Sequence, residues 1–186
     1  MSNIILIAWG RTDWADQNRL IGRTDLPLND AGRAEVAALA DSLAAAPPAV
    51  LTCGPEESAR ETAGILGKRL SLRVGRPLKD LHELHLGLWA GLTESEIEQR
   101  FTTAYEDWRN APDAFCPPDG EPVADAAARL HRSAERAIKK HPGETVAFVV
   151  GPFAAALLRC RFESLSLDQF WSLVDARQLM HIITIT

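Results

Sequence analysis

Apolar residues form short continuous runs in some parts of the chain and helically spaced stripes in others. NIILIA at 3–8 and TVAFVV at 145–150 are continuous runs rich in β-branched residues, typical of strands covered on both faces. AVLTC at 49–53 predicts a short third strand. LMHIITIT at 179–186 alternates enough to predict a last strand nearer an edge of the sheet.

Helical spacing predicts a helix between or after most of these strands. The stretch 28–46 carries an apolar stripe and begins at a capping residue, Asn29 or Asp30. The stretch 93–110 opens with a capping box from Thr93 to Glu96. Proline-rich residues 111–122 are expected to form a loop. The remaining predicted helices cover 55–71, 123–141 and 152–162.

This alternation of strands and helices predicts a single α/β domain over 1–186. Its expected architecture has three layers, a mostly parallel sheet with helices on both faces. Binding and catalytic sites in such sheets lie beyond the carboxyl ends of the strands. The turns AWGR at 8–11 and VGPF at 150–153 are therefore expected to meet and to form the site.

Composition excludes several function classes. The net charge of −5 offers no overall attraction to nucleic acid or to an anionic membrane. No apolar run reaches the length of a membrane span, and the first residues lack the features of a signal peptide, so a cytoplasmic location is expected. Cys53, Cys116 and Cys160 are predicted to be reduced, buried thiols. No P-loop or dinucleotide fingerprint is present, and no cofactor is expected.

Six short motifs follow one another in a fixed order. They are AWGRT at 8–12, DLPL at 25–28, SARETA at 58–63, LHE at 81–83, GLWAGLT at 87–93 and VGPF at 150–153. In order and spacing they resemble motifs of the histidine phosphatase superfamily, the phosphoglycerate mutase-like proteins. The resemblance runs over nearly the whole chain and implies the fold of that family.

The resemblance also implies a phosphohistidine site, and the chain departs from it. Family members use a histidine after the first strand as nucleophile, with two arginines and a second histidine around the phosphoryl group and a carboxylate as proton donor. The residues that stand at those positions here are Ala8 and Ser58 for the arginines, Trp9 and Gly151 for the histidines, and Glu83 for the carboxylate. Only the carboxylate is kept.

These departures predict a degenerate member of the family, a pseudoenzyme that has lost phosphohistidine chemistry. The expected role is binding, scaffolding or regulation, with a small ligand or a protein as the partner. Oligomerisation is possible on this reading. The alternative is an enzyme with altered chemistry, a phosphatase-like hydrolase of a small phosphorylated substrate. Such an enzyme would use Glu83 with His82 or His85.

Two readings apply to the aromatic and acidic candidates. Trp9 is either a platform that stacks on a ligand or a hydrophobic plug that fills the space of lost polar side chains, and the plug is favoured. Glu83 is either a surviving catalytic acid or an inherited carboxylate that caps a helix or joins a salt bridge, and the second is favoured because no nucleophile is present.

The basic candidates have solvent-exposed alternatives. Arg11 and Arg19 either line the mouth of the site and bind an anion, or are solvated. His82 and His85 are expected on the surface beside the site, and their spacing differs from that of a zinc-protease helix, so no metal is expected. A basic cluster on the 123–141 helix is read as a solvated face rather than a nucleic-acid surface. Its members are Arg129, Arg132, Arg136, Lys139 and Lys140.

Overall fold

A four-stranded sheet forms the centre of the protein. The computed structural model describes residues 2–185, with side chains from residue 3 onward. The strands lie in the order β2-β3-β1-β4, where β1 is Ser2–Ala8, β2 Val50–Cys53, β3 Val146–Val150 and β4 Met180–Ile185. The first three are parallel, and β4 pairs antiparallel with β1. The predicted mostly parallel sheet with a last strand at its edge is confirmed; residue 186 of that predicted strand lies outside the described residues.

Helices cover both faces of this sheet, as predicted. Along β1, Ile4 and Leu6 pack into one buried cluster, whereas Ile5 and Ile7 pack into another. This alternation follows from the two-residue period of a strand. The helices are α1 Asp13–Asp16, α2 Asp30–Leu43, α3 Glu57–Leu70, α4 Glu94–Arg100, α5 Thr102–Asn110, α6 Val123–Lys139, α7 Pro152–Phe162 and α8 Phe170–Asp175. Within residues 2–185, none of them has the length and apolarity needed to cross a membrane.

The helix predicted over 93–110 is in fact two helices. The capping box of Thr93 and Glu96 begins α4 as predicted. At Phe101 the backbone leaves the helical region, with φ −136° and ψ 44°, and α5 begins at the next residue. The Phe101 ring lies 6.1 Å from that of Trp89, so packing accompanies the break. The short helices α1 and α8 were not predicted.

Close packing fixes the turn after β1. A Cβ atom on Gly10 would lie 2.8 Å from the carbonyl oxygen of Gly32, and one on Gly32 would lie 2.2 Å from that of Arg11. Glycine at both positions therefore lets the start of α2 approach the turn directly. The Gly10 amide donates to the Thr62 hydroxyl of α3 at 3.1 Å, which ties the turn to a third element.

Candidate functional site

The turns after β1 and β3 meet beyond the carboxyl ends of the strands, as the sequence predicts. Ala8 pairs with Val150 in the sheet register. The Trp9 amide then donates to the Val150 carbonyl at 3.0 Å. Trp9 and Gly151 thus lie next to each other.

Trp9 fills the space in front of Gly151. Its side chain is largely buried, with 6% of the residue exposed, and it packs with the cluster between the sheet and helices α2 and α3. A Cβ atom on Gly151 would lie 2.7 Å from the indole Cη2 atom. The burial supports the interpretation of Trp9 as a plug, although the residue also contributes to the wall of the cavity described below.

Glu83 occupies the amino terminus of α7. Its Oε2 accepts from the Phe153 amide at 2.9 Å, and its Oε1 accepts from the Ala154 amide at 2.8 Å and from the Leu84 amide at 2.7 Å. A carboxylate is favoured there by the free amides and the dipole of the helix. Glu83 therefore caps α7, which is one of the two structural roles predicted for it. The other role, a salt bridge, is not formed within residues 2–185.

Burial dominates the acid–base behaviour of Glu83. The residue is 1% exposed, and desolvation of its charged form raises its pKa to about 8. The amide donors oppose that shift because they favour the carboxylate. Desolvation is the larger of the two effects, so the pKa of Glu83 stays above its ordinary value.

A second buried carboxyl group, Glu56, lies behind Glu83. Its Oε1 accepts from the Glu83 amide at 2.7 Å, and its own pKa is raised, chiefly by burial. Glu56 directly precedes α3 and makes no side-chain capping bond there, while Asp25 accepts from the Glu57 amide instead.

Ser58 faces away from the cavity. It is fully buried on α3, and its hydroxyl donates to the Leu26 carbonyl at 2.5 Å. Leu26 belongs to the DLPL motif, so the hydroxyl fixes the loop before α2. This position therefore supports the loop and supplies no cation to the site.

A cavity of about 920 Å³ opens beside the two turns. It lies between the end of β1, the start of β4, helices α7 and α8 and the segment that includes α1. Its apolar wall includes Leu6, Ala8, Trp9, Leu20, Ile21, Phe153, Ala155, Ala156, Leu173, Val174 and Leu179. The size and the mostly apolar wall are those of a small-molecule site.

Arg11 and Arg19 line this cavity, but both are engaged within the chain. The Nε of Arg11 donates to Asp16 at 2.7 Å. The Nη1 of Arg19 donates to the Gly91 carbonyl at 2.6 Å and lies 3.3 Å from a carboxylate oxygen of Glu96. A carboxylate therefore already offsets the charge of each arginine.

The two histidines that flank Glu83 in sequence do not line the cavity. His85 is exposed, as expected, whereas His82 is only partly exposed. Burial lowers the pKa of His82. The histidine that does line the cavity is His181 of β4, whose Nε2 lies 2.9 Å from a carboxylate oxygen of Glu163. Sequence reasoning missed His181 because only the pairing of β4 with β1 brings it to the site.

Arg129 does not belong to a solvated basic face, contrary to the interpretation of the 123–141 helix. Its side chain is only 12% exposed and pairs with Glu121 at 2.6 Å. It also donates to the carbonyls of His82 and Glu83, at 2.6 and 3.0 Å. Arg23 donates to the same Glu83 carbonyl at 3.0 Å. These arginines hold the segment that presents Glu83, and no sequence motif indicated either of them.

The cysteines and metal-ligating residues form no further site among residues 2–185. All three cysteines are free; Cys53 and Cys160 are buried as predicted, but Cys116 is exposed, contrary to the prediction. No group of three or more His, Cys, Asp or Glu side chains in this range is arranged to hold a metal ion.

Comparison with known proteins identifies the class. The family model described as "Histidine phosphatase superfamily (branch 1)" matches residues 4–185. The chain therefore belongs to the histidine phosphatase superfamily.

Individual relatives in this superfamily include named phosphatases. The chain is 35% identical over 127 residues to a glucosyl-3-phosphoglycerate phosphatase of Mycobacterium tuberculosis, an alignment that covers 68% of this chain and 56% of the relative. It is 32% identical over 149 residues to a bifunctional protein of the same species, covering 80% of this chain and 40% of that protein. The chain thus spans about half the length of these curated relatives.

Solved structures match the fold closely. Bacillus stearothermophilus YhfR has a TM-score of 0.88 and 28% identity, over 100% of this chain and 92% of that one. A mycobacterial glucosyl-3-phosphoglycerate phosphatase in complex with VO3 has a TM-score of 0.83 and 27% identity, over 91% and 84% of the two chains.

Proposed function

We propose that this protein is a non-catalytic member of the histidine phosphatase superfamily that binds a small molecule in the cavity beside Trp9. One observation carries the proposal: Glu83 and Trp9 together occupy the space in front of Gly151. A Cβ atom there would lie 2.0 Å from Glu83 Oε2. A side chain at position 151 thus collides with both residues, and the amides at the start of α7 that could bind a phosphoryl group are bonded to Glu83.

The chemistry of the neighbouring residues supports the same proposal. Phosphoryl transfer needs a nucleophile and cations that stabilise the charge on the phosphoryl oxygens. At the two positions that the resemblance assigns to arginine, Ala8 adds a methyl group to the cavity wall and Ser58 bonds a loop carbonyl. Glu83, at the helix terminus, is an acidic group where an anion would otherwise bind.

A phosphatase-like hydrolase is the second candidate function. It is favoured by the relative named as a phosphatase and by the pKa of about 8 for Glu83, which suits a general acid. Because His82 and His85 lie outside the cavity wall, the histidine available to such an enzyme is His181.

Hydrolysis of p-nitrophenyl phosphate separates these two functions. The binding protein shows no turnover above buffer, and no acid-labile phosphate on the chain after incubation with a labelled phosphoryl donor. Turnover that disappears in both Glu83→Ala and His181→Ala, but persists in His85→Ala, would establish the hydrolase instead. His85 is the matched control because it is an exposed histidine outside the cavity.

The same proposal includes a cytoplasmic location. It is supported by the three cysteines, which form no disulfide within residues 2–185. A cell-fractionation experiment with a tagged full-length chain tests it, and recovery in an extracytoplasmic fraction would contradict it.

A further inference from the structure

The charged groups around the cavity are mostly paired with each other. Among the described residues, five basic side chains line it, and four of them lie within salt-bridge distance of a carboxylate: Arg11, Arg19, Arg159 and His181, the last two sharing Glu163. Among residues 2–185, the fifth, Arg177, has no carboxylate within salt-bridge distance. Its Nη2 donates only to the side-chain oxygen of Asn18, at 3.3 Å. Arg177 is therefore the basic side chain of this wall whose charge no neighbouring carboxylate offsets, among the described residues.

Arg177 and Asn18 lie together at the rim, where two separate segments of chain meet. Arg177 follows α8, Asn18 follows α1, and both have left-handed backbone conformations, with φ of 46° and 55°. The Asn18 side chain also offers an amide donor beside the guanidinium. The pair thus presents several hydrogen-bond donors and one positive charge at the cavity mouth.

The acidic side chains of the wall limit how much negative charge a ligand can carry. Glu94 and Asp175 both lie near Arg109, at 4.0 and 3.4 Å. Glu35 also lines the cavity and has no cationic partner among the described residues. A doubly charged phosphate ester carries more negative charge than the single unpaired cation offsets, whereas one carboxylate matches it.

The interior of the cavity is suited to an apolar ligand body. Trp9 and Phe153, both largely buried, contribute aromatic carbon atoms, and the more exposed Leu173 and Val174 of α8 contribute aliphatic ones. Ala8 leaves open the volume that a long side chain at this position would fill. Burial of an apolar chain against such a wall is favourable in proportion to the area removed from water.

We propose that the cavity binds an amphiphile with an apolar body and a single carboxylate, held at the rim by Arg177 with Asn18. This inference rests on the proposed binding function and specifies its ligand class. The apolar body lies against Trp9, Phe153 and Leu173, and the carboxylate points out toward solvent.

Calorimetric titration with decanoate, 1-decanol and decyl phosphate tests the inference, at concentrations below those at which each aggregates. Decanoate is expected to bind about ten-fold more tightly than decanol, as one charged hydrogen bond implies. Decyl phosphate is expected to bind more weakly than decanoate at pH 8. Arg177→Gln is expected to remove the preference for decanoate and to leave the affinity for decanol unchanged.

Two control variants complete the design, each checked for its fold by circular dichroism. Arg161→Gln changes an exposed arginine of α7 outside this cavity and should leave all affinities as in the wild type. Ala8→Phe should place a ring in the part of the cavity beside Trp9 and weaken both decanoate and decanol.

Each result has one meaning. Equal binding of decanoate and decanol, or an unchanged preference in Arg177→Gln, overturns the assignment of the carboxylate site while leaving cavity binding intact. Absence of binding by any probe overturns the ligand class. Binding that Ala8→Phe does not weaken overturns the proposed cavity itself.

Discussion

The contact between Gly151 and Glu83 makes a quantitative prediction for the substitution Gly151→Ala. The added methyl carbon would lie 2.0 Å from Oε2 and 2.5 Å from Cδ of Glu83, and 2.7 Å from Cη2 of Trp9. Gly151 has φ −72° and ψ 164°, a conformation that alanine adopts readily. Any loss of stability therefore comes from the contact and not from the backbone.

The size of the effect follows from how firmly Glu83 is held. Overpacking by one methyl group costs about 1–3 kcal/mol. Glu83 cannot rotate away without breaking hydrogen bonds to the amides of Leu84, Phe153 and Ala154. We therefore expect Gly151→Ala to lower the free energy of unfolding by about 2–3 kcal/mol.

A double-mutant cycle isolates the contact. Glu83→Ala alone leaves three buried amides without their acceptor, at a cost of about 1–3 kcal/mol. In the double variant the new methyl group enters the space that Glu83 leaves. The combined loss should then be smaller than the sum of the single losses by about 1–2 kcal/mol.

Urea unfolding followed by circular dichroism measures all four proteins. Gly64→Ala is the matched control because a Cβ atom at this helical position meets nothing within 4 Å; it should raise stability by up to about 1 kcal/mol. If Gly151→Ala were as stable as the wild type, or if the two changes were additive within about 0.5 kcal/mol, the described packing of Glu83 against Gly151 would be refuted.

Three further predictions concern activity, pH and thiol reactivity. Trp9→His should show no phosphatase activity above buffer, because it adds a nucleophile without cations to hold the phosphoryl oxygens; robust hydrolysis of p-nitrophenyl phosphate would contradict this. The contribution of Glu83 to the free energy of unfolding should fall as pH rises from about 4.5 to about 8, because folded Glu83 keeps a proton that the unfolded chain releases. The loss is at most roughly 5 kcal/mol at ~1.4 kcal/mol per pKa unit, and Glu83→Gln should flatten the profile; an unchanged profile in that variant would assign the pH dependence to another group. Ellman's reagent should label Cys116 rapidly, while Cys53 and Cys160 react only on unfolding, since burial raises the pKa of both and that of Cys53 to about 11; early labelling of Cys53 would contradict its described burial.

Hydrophobic periodicity was sufficient to predict the sheet and its long helices. The continuous apolar run of β3 is buried and the alternating β4 lies at an edge, as their patterns indicated. The α7 helix covers the predicted residues 152–162. The break at Phe101 could not be predicted, because no proline or glycine marks it and the ring that accompanies it belongs to Trp89. The helices α1 and α8 are too short for a period to be visible, and helices of that length depend on tertiary contacts.

The sequence located the site but did not predict its interior. Motif order identified the turn at Trp9 and the carboxyl group at Glu83, and capping was among the roles weighed for it. That Glu83 bonds the start of α7 depends on residues about 70 positions apart in the chain. The hydrogen bond from Arg129 to the Glu83 carbonyl and the contact between Arg177 and Asn18 also join residues far apart in the chain. No local sequence pattern predicts such contacts.

The carboxyl group of Glu83 acts on α7 as a tethered ligand. It is delivered by the same chain and held in place from behind by Arg129 and Arg23, so its effective concentration at the helix terminus is that of an intramolecular group. Effective concentrations of rigidly placed groups exceed the millimolar values of flexible tethers by orders of magnitude. An external phosphate present at about millimolar concentration competes poorly against such a group. The amides at the start of α7 are therefore saturated by a group of the chain itself, and an external anion would have to displace it to bind there.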